Sequence, residues 1–223
     1  PARALEGMAQ RPGFLADPFE TDITIQQNGL HFGVDLHTGP KPGYFHAKKD
    51  NRRAIRHIVQ DAEVLGAFCY TGTFEIHAAQ YGAKSVLGLD ISENAISQAK
   101  RNAALNGLLH KMEFQAANAF DMLKQWSREM KKYDVVMLDP PAFTKSRNSI
   151  HKAIAGYKEI NLRGMKLLRS GGFLVTSSCT GLVSPEQFLE MIRFAAKDAG
   201  KKLRQVTFNT QSPDHPIIRE MEN

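Results

Sequence analysis

The chain has 223 residues, of which 42% are hydrophobic and 23% are charged, which is ordinary for a globular protein with room for one sizeable domain. No run approaches the roughly 18 apolar residues of a membrane span, and the first residues lack the apolar core of a signal peptide. Two cysteines are too few for a disulfide framework, so we expect a reducing cytoplasm. The net charge of +6 permits a polyanionic partner without requiring one.

The first part of the chain predicts a tail followed by a small β-rich subdomain. Residues 1–22 are rich in Pro, Gly and Ala without periodicity, as in a linker or tail. Alternating apolar residues then flank Asn28-Gly29, a pair typical of the type I′ turn of a β-hairpin. A short helix follows, for which Asp50 is the predicted N-cap. We therefore predict a β-rich linker subdomain with its connecting helix over residues 23–60.

From residue 61 onward, short apolar strands alternate with amphipathic helices, and no internal repeat occurs. Ser92 is a predicted helix cap, and Ser184 opens a predicted capping box with Pro185 at the first helical position. This alternation predicts an α/β fold over residues 61–216, with a doubly wound, mostly parallel sheet that binds its ligand outside the strand carboxyl ends. A short tail is predicted at 217–223. The six predicted strands are 64–68, 85–89, 112–117, 134–138, 172–177 and 203–208.

Residues 63–90 predict a strand, a tight turn, a helix and a second strand that ends in Asp90. The turn can present backbone N–H groups to a ligand, and Asp90 stands where an acid binds ribose hydroxyls. The glycines Gly66, Gly72 and Gly82 do not have the G-x-G-x-x-G spacing of a dinucleotide site. An acid about 20 residues after the turn, without a pyrophosphate loop, favours a nucleoside-type ligand such as S-adenosylmethionine over NAD.

Polar residues follow the carboxyl ends of the predicted strands. Asp90 could bind ribose or cap the following helix, although Ser92 is better placed for the cap. Asn118 could contact an adenine or be an ordinary turn residue. Asp139-Pro140-Pro141 ends an apolar strand, and its prolines hold the backbone in an extended path across the sheet edge. This position favours a functional loop over a merely rigid one.

The two cysteines stand in different surroundings. Cys69 follows Phe68 at a strand end and is typical of a free cysteine that packs as a small hydrophobe. Cys179 follows the polar residues Ser177 and Ser178 at another strand end, which suits an accessible thiol able to ionise and attack. Position alone leaves packing and nucleophilic attack both open for Cys179.

Basic residues interleaved with aromatic ones could contact RNA phosphates and bases, or form a solvated face. The interleaving favours RNA. The predicted RNA-binding residues are Lys41, Lys48, Lys49, Arg52, Phe143, Lys145 and Arg147.

Five segments together resemble the bacterial class I methyltransferases that form 5-methylcytosine in 23S rRNA of the large ribosomal subunit. In that family a PUA domain and a β-rich linker domain precede the catalytic domain, and only the linker domain is matched here, so we expect a fragment of a longer protein. The resemblance implies S-adenosylmethionine as cofactor, 23S rRNA as partner, no metal ion and no membrane; a homodimer stays open. The segments are FCYTGTF (68–74), LDISENAISQAKRNAALNGL (89–108), DVVMLDPPAF (134–143), GYKEINLRGMKLLRSGGFLVTSSCTG (156–181) and SPDHP (212–216).

The resemblance also implies a mechanism. A Cys179 thiolate adds to C6 of cytosine, C5 then takes the methyl group, and a base removes the C5 proton before the thiol leaves. Asp139 would position the target base or help to manage the proton, and the identity of the general base stays open. The target nucleotide must leave its stack to reach the thiol. The expected cofactor-binding residues are Phe68, Tyr70, Thr71, Gly72, Asp90, Ile91, Asn118, Asp139 and Pro140.

Several positions depart from the family pattern. The family usually reads GQKTGFFLDQRDNR where this chain has GPKPGYFHAKKDNR (39–52), and Cys69 and Asn118 stand where a serine and an acid are common. Two alternatives remain. One is an N-methyltransferase acting on RNA or a small molecule, which typically has an aromatic residue where Ala142 stands. The other is an inactive RNA-binding module of the same fold.

Overall fold

The computed structural model describes residues 17–36, 44–45 and 48–210. Three short 3₁₀ turns, at Ile55–His57, Leu109–Lys111 and Arg147–Ser149, connect the regular elements. The strands are β1 (Asp22–Gln27), β2 (Leu30–Asp35), β3 (Glu63–Ala67), β4 (Ser85–Asp90), β5 (Met112–Ala116), β6 (Tyr133–Leu138) and β7 (Leu168–Thr176). The helices are α1 (Lys49–Ala54), α2 (Thr73–Gln80), α3 (Glu93–Leu105), α4 (Ala119–Arg128), α5 (Ile150–Leu167) and α6 (Pro185–Ala199).

Five strands form one parallel sheet in the order β5-β4-β3-β6-β7. The chain winds outward from β3 to β5 and then crosses back to β6 on the other side of β3. This reversal confirms the predicted doubly wound α/β fold. It also creates a switch point beside the carboxyl end of β3, the place where such sheets bind ligands.

The two central strands are buried because helices cover both faces of the sheet. On one face, Leu65 of β3 and Leu138 of β6 pack with Tyr157 of α5. On the other face, Val64 and Val135 of the same strands pack in a second cluster with residues of α2. Each such fully buried side chain stabilises the fold by roughly 1.5–3 kcal/mol. The core therefore fixes β3 and β6 firmly at the centre of the sheet.

The predicted hairpin is confirmed as a separate antiparallel pair of β1 and β2. Asn28 and Gly29 have φ values of 52° and 80°, the left-handed pair that a type I′ turn needs. The hairpin docks on α3, where the N–H of Gly33 donates to Oδ1 of Asn102 at 2.9 Å. The predicted domain bounds at 23–60 and 61–216 stay a prediction.

Local capping signals were read correctly at two helices. Ser92 Oγ accepts from the N–H of Ala95 at 3.2 Å, which caps α3. At α6, Ser184 and Gln187 form the predicted reciprocal capping box. Asp50 is a correction, since α1 already begins at Lys49 and places Asp50 in its first turn. There the carboxylate still stands at the favourable end of the helix dipole.

The sixth predicted strand, 203–208, is also a correction. Residues 201–210 adopt no regular secondary structure, and the side chains of Leu203, Val206 and Phe208 are exposed. A strand needs a neighbour for its backbone N–H and C=O groups, and in the described residues β7 has no partner on its outer side. Across the same residues, no helix combines the length and apolarity needed to span a membrane.

Candidate active site

The loops that follow β3, β6 and β7 lie along one edge of the sheet, as predicted. Backbone hydrogen bonds join the first residue of each loop to the neighbouring strand. The N–H of Asp139 donates to the carbonyl of Ala67 at 3.3 Å, and the N–H of Ser177 donates to the carbonyl of Leu138 at 3.1 Å. This alignment brings Asp139 and the loop that carries Cys179 to the edge where the first loop begins.

The loop after β3 is held in an uncommon backbone conformation. Phe68 and Tyr70 have positive φ values of 65° and 50°, which cost roughly 1–2 kcal/mol per residue outside glycine. Gly72 follows with a φ of 76°, and a Cβ there would lie 3.0 Å from the side chains of Ala99 and Phe114. Strain of this kind persists where the surroundings impose it, often at ligand sites. Here it turns the loop tightly into α2.

Asp90 ties this loop to the end of β4. Its Oδ2 accepts from the N–H of Tyr70 at 2.9 Å, and its Oδ1 accepts from the N–H of Ser92 at 3.0 Å. A carboxylate has about four acceptor positions, so two more hydrogen bonds can form. Because Ser92 caps α3, the side chain of Asp90 is not needed as that helix's cap. The geometry suits a bidentate contact to two vicinal hydroxyls.

The other predicted cofactor-binding residues lie at the same edge. Thr71 is buried, and its carbonyl accepts from Nδ2 of Asn102 at 3.1 Å. Asn118 caps α4 by accepting from the N–H of Phe120, and Ile91 beside Asp90 is 73% exposed. Their contacts to a cofactor stay predictions, as does that of the buried Pro140.

Glu75 is a candidate site residue that the sequence reading missed. It lies in the first turn of α2, is 2% exposed, and its Oε2 has no hydrogen-bond partner among the described residues. Burial raises the pKa of this carboxyl group to about 8, and the negative charges of Asp139 and Asp90 add to the effect. The feature of the sequence that could have revealed Glu75 is the presence of an acid at a buried position of α2. The carboxylates of Asp90 and Asp139 beside a tight glycine turn fit a cationic nucleoside such as S-adenosylmethionine.

Asp139, Lys48 and Cys179 form a second cluster at the edge. The Lys48 ammonium forms an ion pair with Oδ1 of Asp139, and the hydroxyl of Ser177 donates to the same oxygen at 2.5 Å. Lys48 also interacts electrostatically with the Cys179 thiol. Burial lowers the pKa of Lys48, but Asp139 and Cys179 outweigh burial, so its pKa is raised overall. Lys48 is therefore turned into the site and not out toward solvent.

The two cysteines differ in exposure as the sequence predicted. Cys179 is exposed, whereas Cys69 is buried, and burial raises the pKa of the Cys69 thiol well above its usual value. The loop is anchored just beyond Cys179, where the hydroxyls of Thr180 and Tyr157 are hydrogen-bonded at 2.7 Å in the core. The exposed thiol therefore lies next to a residue, Thr180, whose side chain is fixed in the core.

Arg52 corrects one predicted RNA contact. Its side chain is only 1% exposed, and its guanidinium donates to Oε1 of Gln27 at 2.7 Å and to the carbonyl of Phe45 at 2.8 Å. The same group lies 4.8 Å from the ring centroid of Tyr44. A buried guanidinium with these partners cannot reach an RNA phosphate. The prediction that Arg52 binds RNA is wrong, and its role is to join the hairpin to α1.

The remaining predicted RNA contacts divide into two groups. Phe143 is half-buried, and its ring packs against Tyr157 with centroids 4.5 Å apart. Lys49, Lys145 and Arg147 are exposed, as a phosphate contact requires. Lys41 lies outside the described residues.

The fold and the site together define an α/β protein of the Rossmann-like methyltransferase class. The crystal structure of SMU.776 complexed with SAH superposes with a TM-score of 0.81 at 21% identity, covering 93% of this chain and 55% of that one. A SAM-dependent methyltransferase from Agrobacterium tumefaciens superposes with a TM-score of 0.70 at 20% identity, covering 88% and 67%. These likenesses establish the fold.

The family is established by sequence. A family model described as S-adenosylmethionine-dependent methyltransferase matches residues 12–218, and the chain belongs to this family. Two similar relatives are named "Ribosomal RNA large subunit methyltransferase I". The one from Alteromonas mediterranea is 38% identical over 217 residues, and the one from Tolumonas auensis is 39% identical over 218. The matches cover 97% and 96% of this chain but 55% of each relative, so the chain spans about half their length.

Proposed function

We propose that this chain is the catalytic part of an enzyme that methylates C5 of a cytosine in 23S rRNA. The observation that carries the proposal is the exposed Cys179 thiol, which lies in the loop that is hydrogen-bonded to Asp139 through Ser177 at the carboxyl edge of the sheet. A carbon-methylating enzyme needs such a nucleophile, because C5 of cytosine is itself a poor one. An N-methyltransferase has no use for this thiol. The names of the similar relatives support ribosomal RNA as the substrate class.

Two residues of this chain, Cys179 and Asp139, have proposed roles in the reaction. The Cys179 thiolate forms a bond to C6, and the electrons of the C5–C6 double bond make C5 nucleophilic. S-adenosylmethionine, when bound, supplies an electrophilic methyl group. Asp139 would position the target base or help to manage the proton. After C5 has taken the methyl group, a base removes the C5 proton, the double bond re-forms and the Cys179 thiolate leaves.

The cofactor and the RNA would approach the edge from two sides. Asp90 suits the ribose hydroxyls, and the loop of residues 68–72 would line the cofactor's path beside it. The exposed Lys49, Lys145 and Arg147 are suited to phosphates around the target. The cytosine must be turned out of its stack to meet the thiol. The half-buried ring of Phe143 supports a role in shaping this entrance, and its stacking on a base stays a proposal.

Trapping with a modified substrate tests the proposal. In an RNA that carries 5-fluorocytosine, the C5 position has no proton to lose, so the enzyme stays bound through the cysteine. We expect a denaturation-resistant adduct with the wild type and with Cys69→Ala, and none with Cys179→Ala. Calorimetry with S-adenosylmethionine should give the same affinity for the wild type and Cys179→Ala, which shows that the variant is folded.

Two results would overturn the proposal. Methylation by Cys179→Ala at the wild-type rate would exclude the covalent mechanism and favour an N-methyltransferase. Failure of the wild type to bind S-adenosylmethionine would favour an inactive RNA-binding module.

A further inference from the structure

We propose that Lys48 is a catalytic residue of this site: its ammonium group is the electrostatic partner of the Cys179 thiolate, and Asp139 holds it in place. The inference deepens the proposed function and rests on it for the role of the thiolate in methyl transfer. The pairing of Lys48 with Cys179 can be tested whether or not the RNA reaction proceeds as proposed.

The position of the ammonium carries the proposal. Lys48 stands immediately before α1, and its side chain is only 16% exposed. Its Nζ contacts Oδ1 of Asp139 and lies near enough to the Cys179 thiol to interact with it electrostatically. These groups are 91 and 131 positions away along the chain, and each stands at the end of a different strand. An ammonium with three donors can serve both partners at once.

A cation at this point changes the electrostatics of the cluster. Asp139 is a carboxylate next to the loop of Cys179, and a like charge nearby disfavours ionisation of a thiol. The Lys48 ammonium offsets the carboxylate and adds an attractive partner for the thiolate. The hydroxyl of Ser177 donates to the same Oδ1 of Asp139 and keeps the carboxylate aimed at Lys48. The three groups therefore act as one unit.

The charged groups on neighbouring elements act on this unit through Asp139. Arg52 of α1 and Glu75 of α2 both interact electrostatically with Asp139, with opposite signs. Both side chains are fully buried, so they do not approach the exposed Cys179 thiol from its solvent side. Among the described residues, Lys48 is the cation that forms an ion pair with Asp139, and it also interacts electrostatically with Cys179.

The charge at this position departs from the family pattern. In GQKTGFFLDQRDNR a glutamine stands where this chain has Lys48. A glutamine could donate a hydrogen bond but would carry no charge to offset Asp139. The substitution Lys48→Gln therefore removes the charge while keeping a polar group of similar reach.

Lys48 keeps its proton throughout the reaction. The Cys179 thiol loses its proton to solvent, and the resulting thiolate is stabilised beside the ammonium. The thiolate then forms the bond to C6, and the same bond breaks when the product leaves. Lys48 is thus beside the sulfur both when the thiolate loses its negative charge by bonding to C6 and when that charge returns as the bond breaks.

Alkylation of the thiol tests the pairing without RNA or cofactor. The rate at which iodoacetamide modifies Cys179, followed by mass spectrometry of its peptide, rises with the thiolate fraction. We expect Lys48→Gln and Lys48→Met to move the midpoint of this pH profile upward by about one unit or more. Arg53 is an exposed basic residue of the adjoining helix α1, and Arg53→Met should leave the midpoint unchanged. Lys48→Arg keeps the charge and should hold the midpoint closer to that of the wild type.

The methylation rate provides the second measurement. At neutral pH, kcat/KM of Lys48→Gln should fall by about tenfold or more and recover in part at higher pH, since a one-unit shift changes the thiolate fraction tenfold. An unchanged alkylation midpoint in Lys48→Gln would overturn the proposal. So would an unchanged midpoint with a shallower salt dependence of RNA binding, which would make Lys48 a phosphate contact. A shifted midpoint together with full methylation by Cys179→Ala would keep the pairing and defeat the covalent mechanism instead.

Discussion

The carboxyl group of Glu75 on α2 fills the space in front of Gly66 on β3. A Cβ built on Gly66 would lie 1.9 Å from Oε1 of Glu75 and 2.7 Å from its Cδ. The helix can bring an acid this close to the central strand only because the strand carries no side chain there. The glycine and the buried acid are therefore one structural unit beneath the candidate site.

Gly66→Ala is expected to lower the free energy of unfolding by about 3 kcal/mol, because the added methyl group overlaps a buried side chain. Glu75→Ala in the same chain clears that overlap, so the double variant should be more stable than the sum of the single effects predicts. Urea denaturation of the four proteins measures this coupling. Strictly additive effects would show that Glu75 and Gly66 are not in contact.

The stability of the protein should depend on pH through Glu75. Burial raises the pKa of Glu75 to about 8, whereas the ordinary value is 4.5. Between these values the folded state binds a proton that the unfolded state has lost. The free energy of unfolding should therefore fall as pH rises from about 4.5 to 8, by up to roughly 1.4 kcal/mol per unit.

Glu75→Gln removes this titration because the amide is neutral at every pH. We expect a flatter profile for Glu75→Gln over that range in urea denaturation, with its largest gain over the wild type near pH 8. The exposed acid Glu113 provides the control, since Glu113→Gln should leave the profile as it is. A wild-type profile that stays level from pH 5 to 8 would contradict the assignment.

Gly72 and Gly107 form a matched pair for the loop after β3. Both have a left-handed φ, 76° and 67°, but a Cβ on Gly107 would meet nothing within 4 Å. Alanine at Gly107 should cost about 1–2 kcal/mol for the backbone alone. Alanine at Gly72 should cost about 1–3 kcal/mol more because it collides with Ala99 and Phe114. Equal losses in urea denaturation would refute the crowding, and calorimetry should show weaker S-adenosylmethionine binding only for Gly72→Ala.

Arg52 and Arg53 are neighbours in α1 with opposite surroundings. Arg52→Met removes the hydrogen bonds of a buried guanidinium to Gln27 and to the carbonyl of Phe45 and should lower the free energy of unfolding by about 3 kcal/mol. Arg53 is exposed, so Arg53→Met should change it by no more than about 0.5 kcal/mol. The salt dependence of RNA binding should be unaffected by Arg52→Met. A shallower salt slope with unchanged stability would restore Arg52 as a phosphate contact.

The parts of the fold that depend on short-range signals could be predicted from the sequence. Asn28-Gly29 needs only its own backbone preferences to set the hairpin turn, and Ser92 and Ser184 bond within three or four residues. The order of apolar strands and amphipathic helices was sufficient to predict the doubly wound sheet. The difference in exposure between Cys69 and Cys179 was also predictable, because Cys69 follows an apolar residue in the sequence whereas Cys179 follows polar ones.

Long-range placement was where prediction from sequence failed. Arg52 carries the same charge as its exposed neighbours, and only contact with Gln27 on the hairpin makes it a core residue. Lys48 meets Asp139 across 91 positions, a relation that no local pattern encodes. Residues 203–208 alternate as a strand does, but a strand forms only where a neighbour accepts its hydrogen bonds. These three misses concern partners distant in sequence, whereas the error at Asp50 shifted a helix start by a residue or two.

The carboxylate of Asp90 is already immobilised by two backbone N–H groups, from Tyr70 and Ser92. Freezing a side chain on binding costs about 0.5–1.5 kcal/mol. For Asp90 that loss of rotamer freedom is met when the chain folds, so under the proposed role a ribose would meet a preorganised acceptor. The strained turn at Phe68 and Tyr70, which aims one of those N–H groups, would thus convert folding energy into ligand affinity.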